Sequence, residues 1–389
     1  MTTYADSGVN IELGDDASKV MYEAAKLTWQ NREGILGEVV SPKDDFSGAR
    51  VINVGGLPDG AIMCMGFDGV GTKVEIAERM GRHDTMAFDL FAMVCDDAVV
   101  YGGEPVLVGS ILDVNSLSAA DRADGAADSN LHFMKQLAAG YVSAAEAGRV
   151  AVINGEIAEL GARVAGYGED FNYNWGASVV WFADKERLFT GDQIQPGDKV
   201  ISLREKGFRS NGLSLLRKIM VENHGENWHE KELPGGEPHE AGEDDNHGGR
   251  LMGDLALEPS TIYSAAVCDM FGGFDKEPRC EVHGVAHITG GGIPGKLGRV
   301  LKRAGGPDPE IGLGARLDNL FEPCELMKHA MEVGGVSRGE AYQTWNMGNG
   351  MLIIVADGEE EAAIAVAKEH GIEARVCGEI VEEDGIEIL

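Results

Sequence analysis

Basic residues are scarce in this chain. It carries 33 Lys+Arg against 65 Asp+Glu, a formal net charge of −32 at pH 7. Binders of nucleic acid or anionic membrane surfaces work through clustered positive charge, so neither partner is expected. The acidity reads as a solubilising surface, with adaptation to high salt as the sharper alternative. A small anionic ligand stays compatible, because a metal ion and a few local cations reverse the field inside one cleft. Cysteine is sparse too: six residues, at 64, 95, 268, 280, 324 and 377, with no C-x-x-C pair. That excludes a dense disulfide framework and predicts reduced thiols in a cytoplasmic protein. No apolar run approaches the ~20 residues needed to cross a bilayer. The opening MTTYADSGVN lacks the basic region and apolar core of a targeting peptide. No fixed-period repeat is visible, so a solenoid or propeller is not expected.

What is present is the ordinary apolar content of a globular protein, 43% of 389 residues, at a length that predicts two domains. Short apolar runs alternate with longer amphipathic ones, the pattern of an α/β or α+β protein. Strands are predicted at 62–66, 105–111, 150–154, 177–182, 199–203, 285–288, 351–355 and 373–377. Helices are predicted near 16–30, 85–101, 130–147, 211–222, 259–271, 292–303, 322–333 and 359–369. The polar, Gly- and Pro-containing text around 183–198 separates two apolar strands and places a domain boundary there, giving domains 1–183 and 184–389. Residues 224–249, HGENWHEKELPGGEPHEAGEDDNHGG, are almost free of aliphatics. They predict a mobile surface insertion whose irregularly spaced histidines read as solvated rather than metal-binding.

Several short stretches carry chemistry. FDGVGTK at 67–73 has a Walker-like glycine spacing counted from Gly66, but Thr72 precedes Lys73, the reverse of the Walker order. What remains is Asp68 heading a turn with Gly69 and Gly71, and Lys73 at its exit. Alone, Asp68 reads as a turn former and Lys73 as a surface lysine. The following helix holds Asp89, Asp96 and Asp97. Asp96 and Asp97 fall near its C-terminus, against the negative end of the macrodipole, so something positive should compensate them. A divalent cation held by one or two carboxylates is one candidate, and a solvated acid pair is the other. Taken with Asp97, the Asp-turn-Lys group makes a plausible clamp for a nucleotide-metal complex. NGEIAEL at 154–160 follows an apolar run as though a strand opened into a loop with Glu156 at its mouth. In the second half, Ser210-Asn211-Gly212 opens a helix, and Gly290-Gly291-Gly292 sits between a strand and a helix. Both are helix N-termini suited to an anion.

The order of these motifs resembles the aminoimidazole ribonucleotide synthetase (phosphoribosylformylglycinamidine cyclo-ligase) family. YADSGVNI, FDGVGTK, RHDTMAFDLFAM, DDAVVYGGEP, NGEIAEL, SNGLSLLRKIM, EPSTIY, AHITGGG and YQTWNMGNGM occur in the family's order over nearly the whole chain. The resemblance implies an N-terminal four-stranded sheet that pairs across a homodimer into a β-barrel. It implies a C-terminal α/β sandwich with a mixed sheet flanked by helices, and ATP with Mg²⁺ bound in clefts. Carried over by motif, Asp68 and Asp97 would hold metal and nucleotide. Gly69, Gly71, Thr72, Lys73 and Glu156 would line the nucleotide site, with Lys73, Asp97 and Glu156 catalytic. Arg209, Ser210, Asn211, Gly212 and Gly290–Gly292 would face a small phosphorylated substrate, formylglycinamidine ribonucleotide, while Asp89 would be structural.

Five positions depart from the family pattern. Arg209 stands where a histidine is usual, Asp96 for Asn, Asn154 for Gly, Ile157 for Thr and Phe67 for Thr. An arginine can bind a phosphate but cannot shuttle protons at neutral pH. Alternative readings within the superfamily are a thiamine-monophosphate kinase-like or selenophosphate synthetase-like enzyme. A non-catalytic nucleotide-binding paralogue would be expected to lack the metal carboxylates, whereas Asp68, Asp97 and Glu156 are all present. The selenophosphate reading is weakened because no cysteine precedes Cys64.

Overall fold

A computed structural model describes residues 11–43, 46, 48–118, 130–168, 170–235, 250–304 and 312–389. The YADSGVN motif, the histidines at 239 and 247 and the second half of the 224–249 insertion lie outside them. The chain divides into two compact units, one of residues 1–95 and 105–182, the other of residues 96–104 and 183–389. A single cut at 183 therefore does not separate them: the last turn of one helix and the turn after it, 96–104, belong with the C-terminal unit.

The first unit contains, in order, α1 (Ile11–Thr28), β1 (Val39–Val40), β2 (Val51–Ile52), β3 (Ala61–Gly69) and α2 (Val74–Met80). It continues with most of α3 (Met86–Val99), β4 (Glu104–Val114), α4 (Leu131–Ala147), β5 (Ala151–Glu159) and β6 (Tyr173–Asp184). Its main sheet has the order β3-β6-β4-β5. One edge is closed by side chains after α1. Thr28 Oγ1 accepts the Val152 N–H at 2.8 Å, and Trp29 Nε1 and Asn31 Nδ2 donate to the carbonyls of Val152 and Val150. On β3 the alternate residues Met63, Met65 and Phe67 are exposed, Phe67 by 73%. Large apolar side chains in such a row are uncommon on a monomer's surface.

The second unit holds β7 (Lys199–Arg204), α5 (Leu213–His224), α6 (Met252–Ala256), α7 (Ser264–Phe271), β8 (Val282–His287), α8 (Gly292–Arg303) and β9 (Gly314–Leu317). It ends with α9 (Glu325–Gly334), α10 (Arg338–Thr344), β10 (Asn349–Val355), α11 (Glu360–Glu369), β11 (Ala374–Val381) and β12 (Gly385–Ile388). The six-stranded sheet, β12-β9-β11-β7-β10-β8, is mixed, with β12 parallel to β9 and the other pairs antiparallel. β10 is buried at every position, which is why MLIIV reads as an unbroken apolar run rather than an alternating one. Its Met351, Ile353 and Val355 pack with Val267 and Met270 of α7 and Val366 of α11.

The described part of the 224–249 segment corrects the expectation of a mobile, solvated insertion. Trp228 and His229 are buried, and a bridge joins Glu232 to Leu251. The aromatic anchor in HGENW, not the polar average of the stretch, decides its local structure. His224, at the end of α5, meets His329 of α9 at 2.8 Å between Nε2 atoms.

On β8, His283 lies between Asp198, at 2.7 Å from Nδ1, and Glu281, at 3.2 Å from Nε2. The Asp198 carboxylate holds this imidazole above its usual range against the opposing effect of burial, and Glu281 adds to it. A raised folded-state value means the pair stabilises fully below the unfolded pKa, ~6.5, and that this contribution is lost as pH rises through the folded value. Thermal unfolding from about pH 6 to about pH 9 should show that loss in the native protein. His283→Gln should flatten it, and an unchanged slope in the variant would remove the assignment.

Candidate functional site

In the N-terminal unit, Asp68 is the second-to-last residue of strand β3 rather than the head of a loop, with Oδ1 accepting the Gly69 N–H at 2.7 Å. Gly71–Lys73 then form a short 3-10 turn into α2, with Gly71 at φ 65°. Glu156 also differs from its expected place at a strand mouth, because β5 runs on to Glu159. The breakers Asn154 and Gly155 are carried in extended form by parallel pairing to β4. A bulge opposite Val108–Gly109 brings Glu156 level with the exposed Ile111. Asp68 and Glu156 both border a hollow of about 650 Å³. Their strands are the two edges of a four-stranded sheet, three spacings or roughly 14 Å apart, so they flank the hollow and do not share one ion.

Lys73 is a correction. Expected at a phosphate-facing loop exit, it is fully buried, and Nζ donates to Asp89 Oδ1 at 2.7 Å with both side chains shielded from solvent. The neighbouring apolar residues Val70, Ile76 and Phe91 are fully buried as well, so the turn is fastened from inside. Asp89 has the structural part expected of it.

The C-terminal unit gathers a second cluster around the end of α3. Asp97 is about half exposed, and its Oδ1 lies 2.6 Å from Nδ1 of His287, the last residue of β8. Nε2 of that imidazole lies 2.8 Å from an Arg209 terminal nitrogen, which also donates to Asp96 Oδ2 at 2.9 Å. The other terminal nitrogen donates to Glu205 Oε2 and to the Thr261 carbonyl, each at 2.8 Å. Asp96 Oδ1 takes the backbone N–H groups of Tyr263 and Ser264, both at 2.8 Å, where α7 begins. Asp96 is thus compensated by a guanidinium and a helix N-terminus, which answers for that acid the question its position raised.

The electrostatics follow from burial. Burial pushes Asp96 up to about 7, opposed by Arg209 and the two amides. At Asp97 burial also acts upward, but the His287 hydrogen bond with the Lys296 and Arg209 charges holds the carboxyl below its usual range. Burial and the Arg209 charge bring His287 down to about 4, against the pull of Asp97. Arg209 is therefore not placed as a substrate ligand: it is fully buried and committed to two carboxylates, a carbonyl and an imidazole.

Immediately after Arg209, Ser210-Asn211-Gly212 leads into α5, and three residues after His287 the Gly290–Gly292 turn leads into α8. The two turns adjoin, since a Cβ on Gly290 would lie 3.6 Å from Asn211 Nδ2. Glycine is required at 292, where φ is 58° and a Cβ would run into the Tyr342 carbonyl. Ser210 Oγ and Asn211 Oδ1 are buried without a hydrogen-bond partner among the described residues. The sequence reading missed His287, Glu205 and Thr261. A histidine closing a strand just before three glycines was a usable signal, whereas Glu205 and Thr261 have none short of the fold.

Two family models match, AIR synthase related protein, N-terminal domain, over residues 47–177 and AIR synthase related protein, C-terminal domain, over 195–389. A phosphoribosylformylglycinamidine cyclo-ligase of Anaeromyxobacter sp. (strain Fw109-5) is 33% identical over 97% of this chain and 95% of its own. One from Methanothermobacter thermautotrophicus is 32% identical over 98% and 95%. The chain belongs to the phosphoribosylformylglycinamidine cyclo-ligase family. Its fold is shared with thiamine-monophosphate kinase from Stenotrophomonas maltophilia K279a, at TM-score 0.57, 11% identity and 95% coverage of both chains. It is also shared with E. coli HypE, a hydrogenase maturation protein, at TM-score 0.53, 11% identity and coverage of 94% and 92%. Two of the five departures noted above, Asp96 and Arg209, are partners in one ion pair.

The buried Lys73–Asp89 pair makes a stability prediction. Lys73→Met should destabilise the protein by about 3–5 kcal/mol, because it strands a buried carboxylate. Adding Asp89→Leu should restore most of that. Urea unfolding measures both, and a double variant no more stable than the single would show that the pair is not the reason for burial.

Proposed function

We propose that this protein is the ATP-dependent cyclo-ligase that converts formylglycinamidine ribonucleotide to aminoimidazole ribonucleotide, ADP and phosphate in purine biosynthesis. The observation that carries the reading is the mouth of the C-terminal unit. Two helix N-termini adjoin there at Ser210-Asn211-Gly212 and Gly290–Gly292, where Ser210 Oγ and Asn211 Oδ1 are buried with no partner among the described residues, beside a half-exposed Asp97. It sits in a chain similar over nearly its full length to curated cyclo-ligases.

The chemistry asks for positioning and charge neutralisation more than for covalent catalysis. An amide oxygen is a poor leaving group. Transfer of the γ-phosphoryl group to the formyl oxygen releases ADP and creates a good one. The amidine nitrogen then attacks the activated carbon, the C–O bond breaks, and phosphate departs with the oxygen as the nitrogen loses its proton. The helix N-termini at 212 and 291 offer amides to the substrate phosphate. Glu156, with Asp68, Gly69, Gly71 and Thr72, serves the nucleotide side, while Lys73 secures that turn through Asp89.

Among the described residues no three His, Cys, Asp or Glu side chains converge as a metal cage. That fits Mg²⁺, which takes one or two protein carboxylates and completes its shell with water and phosphate oxygens. Asp97, held below the usual carboxylate range and open on one side, suits that part. When bound, the ion supplies neutralisation of phosphate charge.

The same reading includes a homodimer in which the N-terminal sheets of two copies close a barrel. Its support is the apolar row Met63, Met65 and Phe67, with Ile111 exposed on β4, while the opposite edge strand β5 is already occupied by Thr28, Trp29 and Asn31. A cytoplasmic location goes with this reading, and no helix among the described residues is long and apolar enough to cross a membrane.

Purified protein supplied with formylglycinamidine ribonucleotide, ATP and Mg²⁺ should yield aminoimidazole ribonucleotide and ADP in equal amounts; ATP hydrolysis without ring closure would remove the substrate assignment. Asp97→Ala should lower kcat by at least about 100-fold and abolish Mg²⁺-dependent nucleotide binding while the protein stays folded. Phe67→Asp should convert the dimer to monomer in light scattering, and an unchanged mass would count against the barrel face.

A further inference from the structure

Arginine is a donor at every nitrogen and has no acceptor. The Arg209 terminal nitrogen 2.8 Å from His287 Nε2 therefore requires Nε2 to be the accepting, unprotonated nitrogen. The ring proton then resides on Nδ1, 2.6 Å from Asp97 Oδ1, and is donated to that carboxylate. Arg209 has little freedom to do otherwise. Its other contacts include Asp96, Glu205, the Thr261 carbonyl and the Tyr263 ring, and Asp96 is itself fixed by two amides of the α7 N-terminus. With both ring nitrogens engaged and the ring buried, His287 is not free to carry protons to a substrate.

We propose that Arg209 and His287 are positioning residues: Arg209, anchored by Asp96, Glu205 and the Thr261 carbonyl, locks His287 in the Nδ1–H tautomer, which in turn fixes one oxygen of the Asp97 carboxylate and leaves the other for a divalent cation. The orienting group of a ligating side chain is often a second residue of this kind, and its loss weakens metal binding by about 10- to 100-fold. The part assigned to Asp97 rests on the proposed cyclo-ligase reading; the tautomer does not.

The test has two arms on full-length protein. In protein with ¹⁵N-labelled histidine, long-range ¹H–¹⁵N spectra of the native form and of His287→Asn identify the His287 signals by their disappearance. A protonated Nδ1 with a bare Nε2 is expected, and a proton on Nε2 overturns the proposal without need of any variant's activity. In the second arm, Mn²⁺ binding is followed by electron paramagnetic resonance. His287→Asn, whose amide nitrogen stands where Nδ1 stood, should bind within a few-fold of native, whereas His287→Phe, with no donor, should bind about 10- to 100-fold more weakly. Native-like Mn²⁺ affinity in a folded His287→Phe protein overturns the positioning role. If no version closes the imidazole ring, the substrate assignment fails while both arms still decide this inference.

Discussion

A buried guanidinium with two carboxylates is the constraint on which the C-terminal unit turns. Charges taken out of water are tolerated only when geometry supplies nearly every partner, and removing one member costs several kcal/mol. Arg209 meets that demand by joining the exit of β7, the end of α3, the segment before α7 and the end of β8. The backbone next to each end of this network is the backbone of the candidate site. Ser210 follows Arg209 directly, and Thr289 and Gly290 follow His287 closely. A charge cluster with no exposed atoms of its own thereby sets where two glycine turns and one half-exposed carboxylate stand.

The N-terminal unit uses the same device on a smaller scale. Lys73 and Asp89 neutralise one another behind a turn that would otherwise be free to open, and Glu78 accepts the Tyr167 and Tyr173 N–H groups from inside. Burial brings the Glu78 carboxyl up to about 7 against those two amides. In a chain of net charge −32, cations spent in the interior are not available to draw anions. Attraction for an anion then falls to backbone amides at helix N-termini and to Lys296, which are local sources that a global charge count does not register.

Sequence carried the fold far because periodicity reports burial. The unbroken MLIIV of β10 and the helical spacing across α3 needed only hydrophobic patterning. The short helices α2, α6 and α10 and the short strands β1, β2, β9 and β12 escaped, being too brief to show a period. Glu156 was misplaced because Asn-Gly breaks a strand in isolation, whereas pairing to β4 with a bulge keeps it extended. At the candidate site, residue types were legible and their environment was not. FDGVGTK announced an acid and a lysine, but nothing local says that Lys73 turns inward, since its partner lies sixteen residues on across a turn. Thr261 and His287 belong to the cluster only through contacts spanning dozens of residues, and Glu205, four residues before Arg209, meets it only because the chain turns back after β7.

The two departures at 96 and 209 illustrate what a residue-by-residue comparison hides. Considered singly, an arginine in place of a histidine removes a group capable of carrying protons, and an aspartate in place of an asparagine adds a charge next to Asp97. In the folded protein they form a 2.9 Å ion pair with neither side chain reaching solvent. Asp96 alone would leave a buried carboxylate without a guanidinium, a loss of about 3–5 kcal/mol of stability, whereas beside Arg209, which also pairs with the buried Glu205, its charge is met. The two residues therefore work as one pair. Its chemical consequence falls on His287, whose accepting nitrogen is set by a donor that cannot reverse its role, and through His287 on the orientation of Asp97.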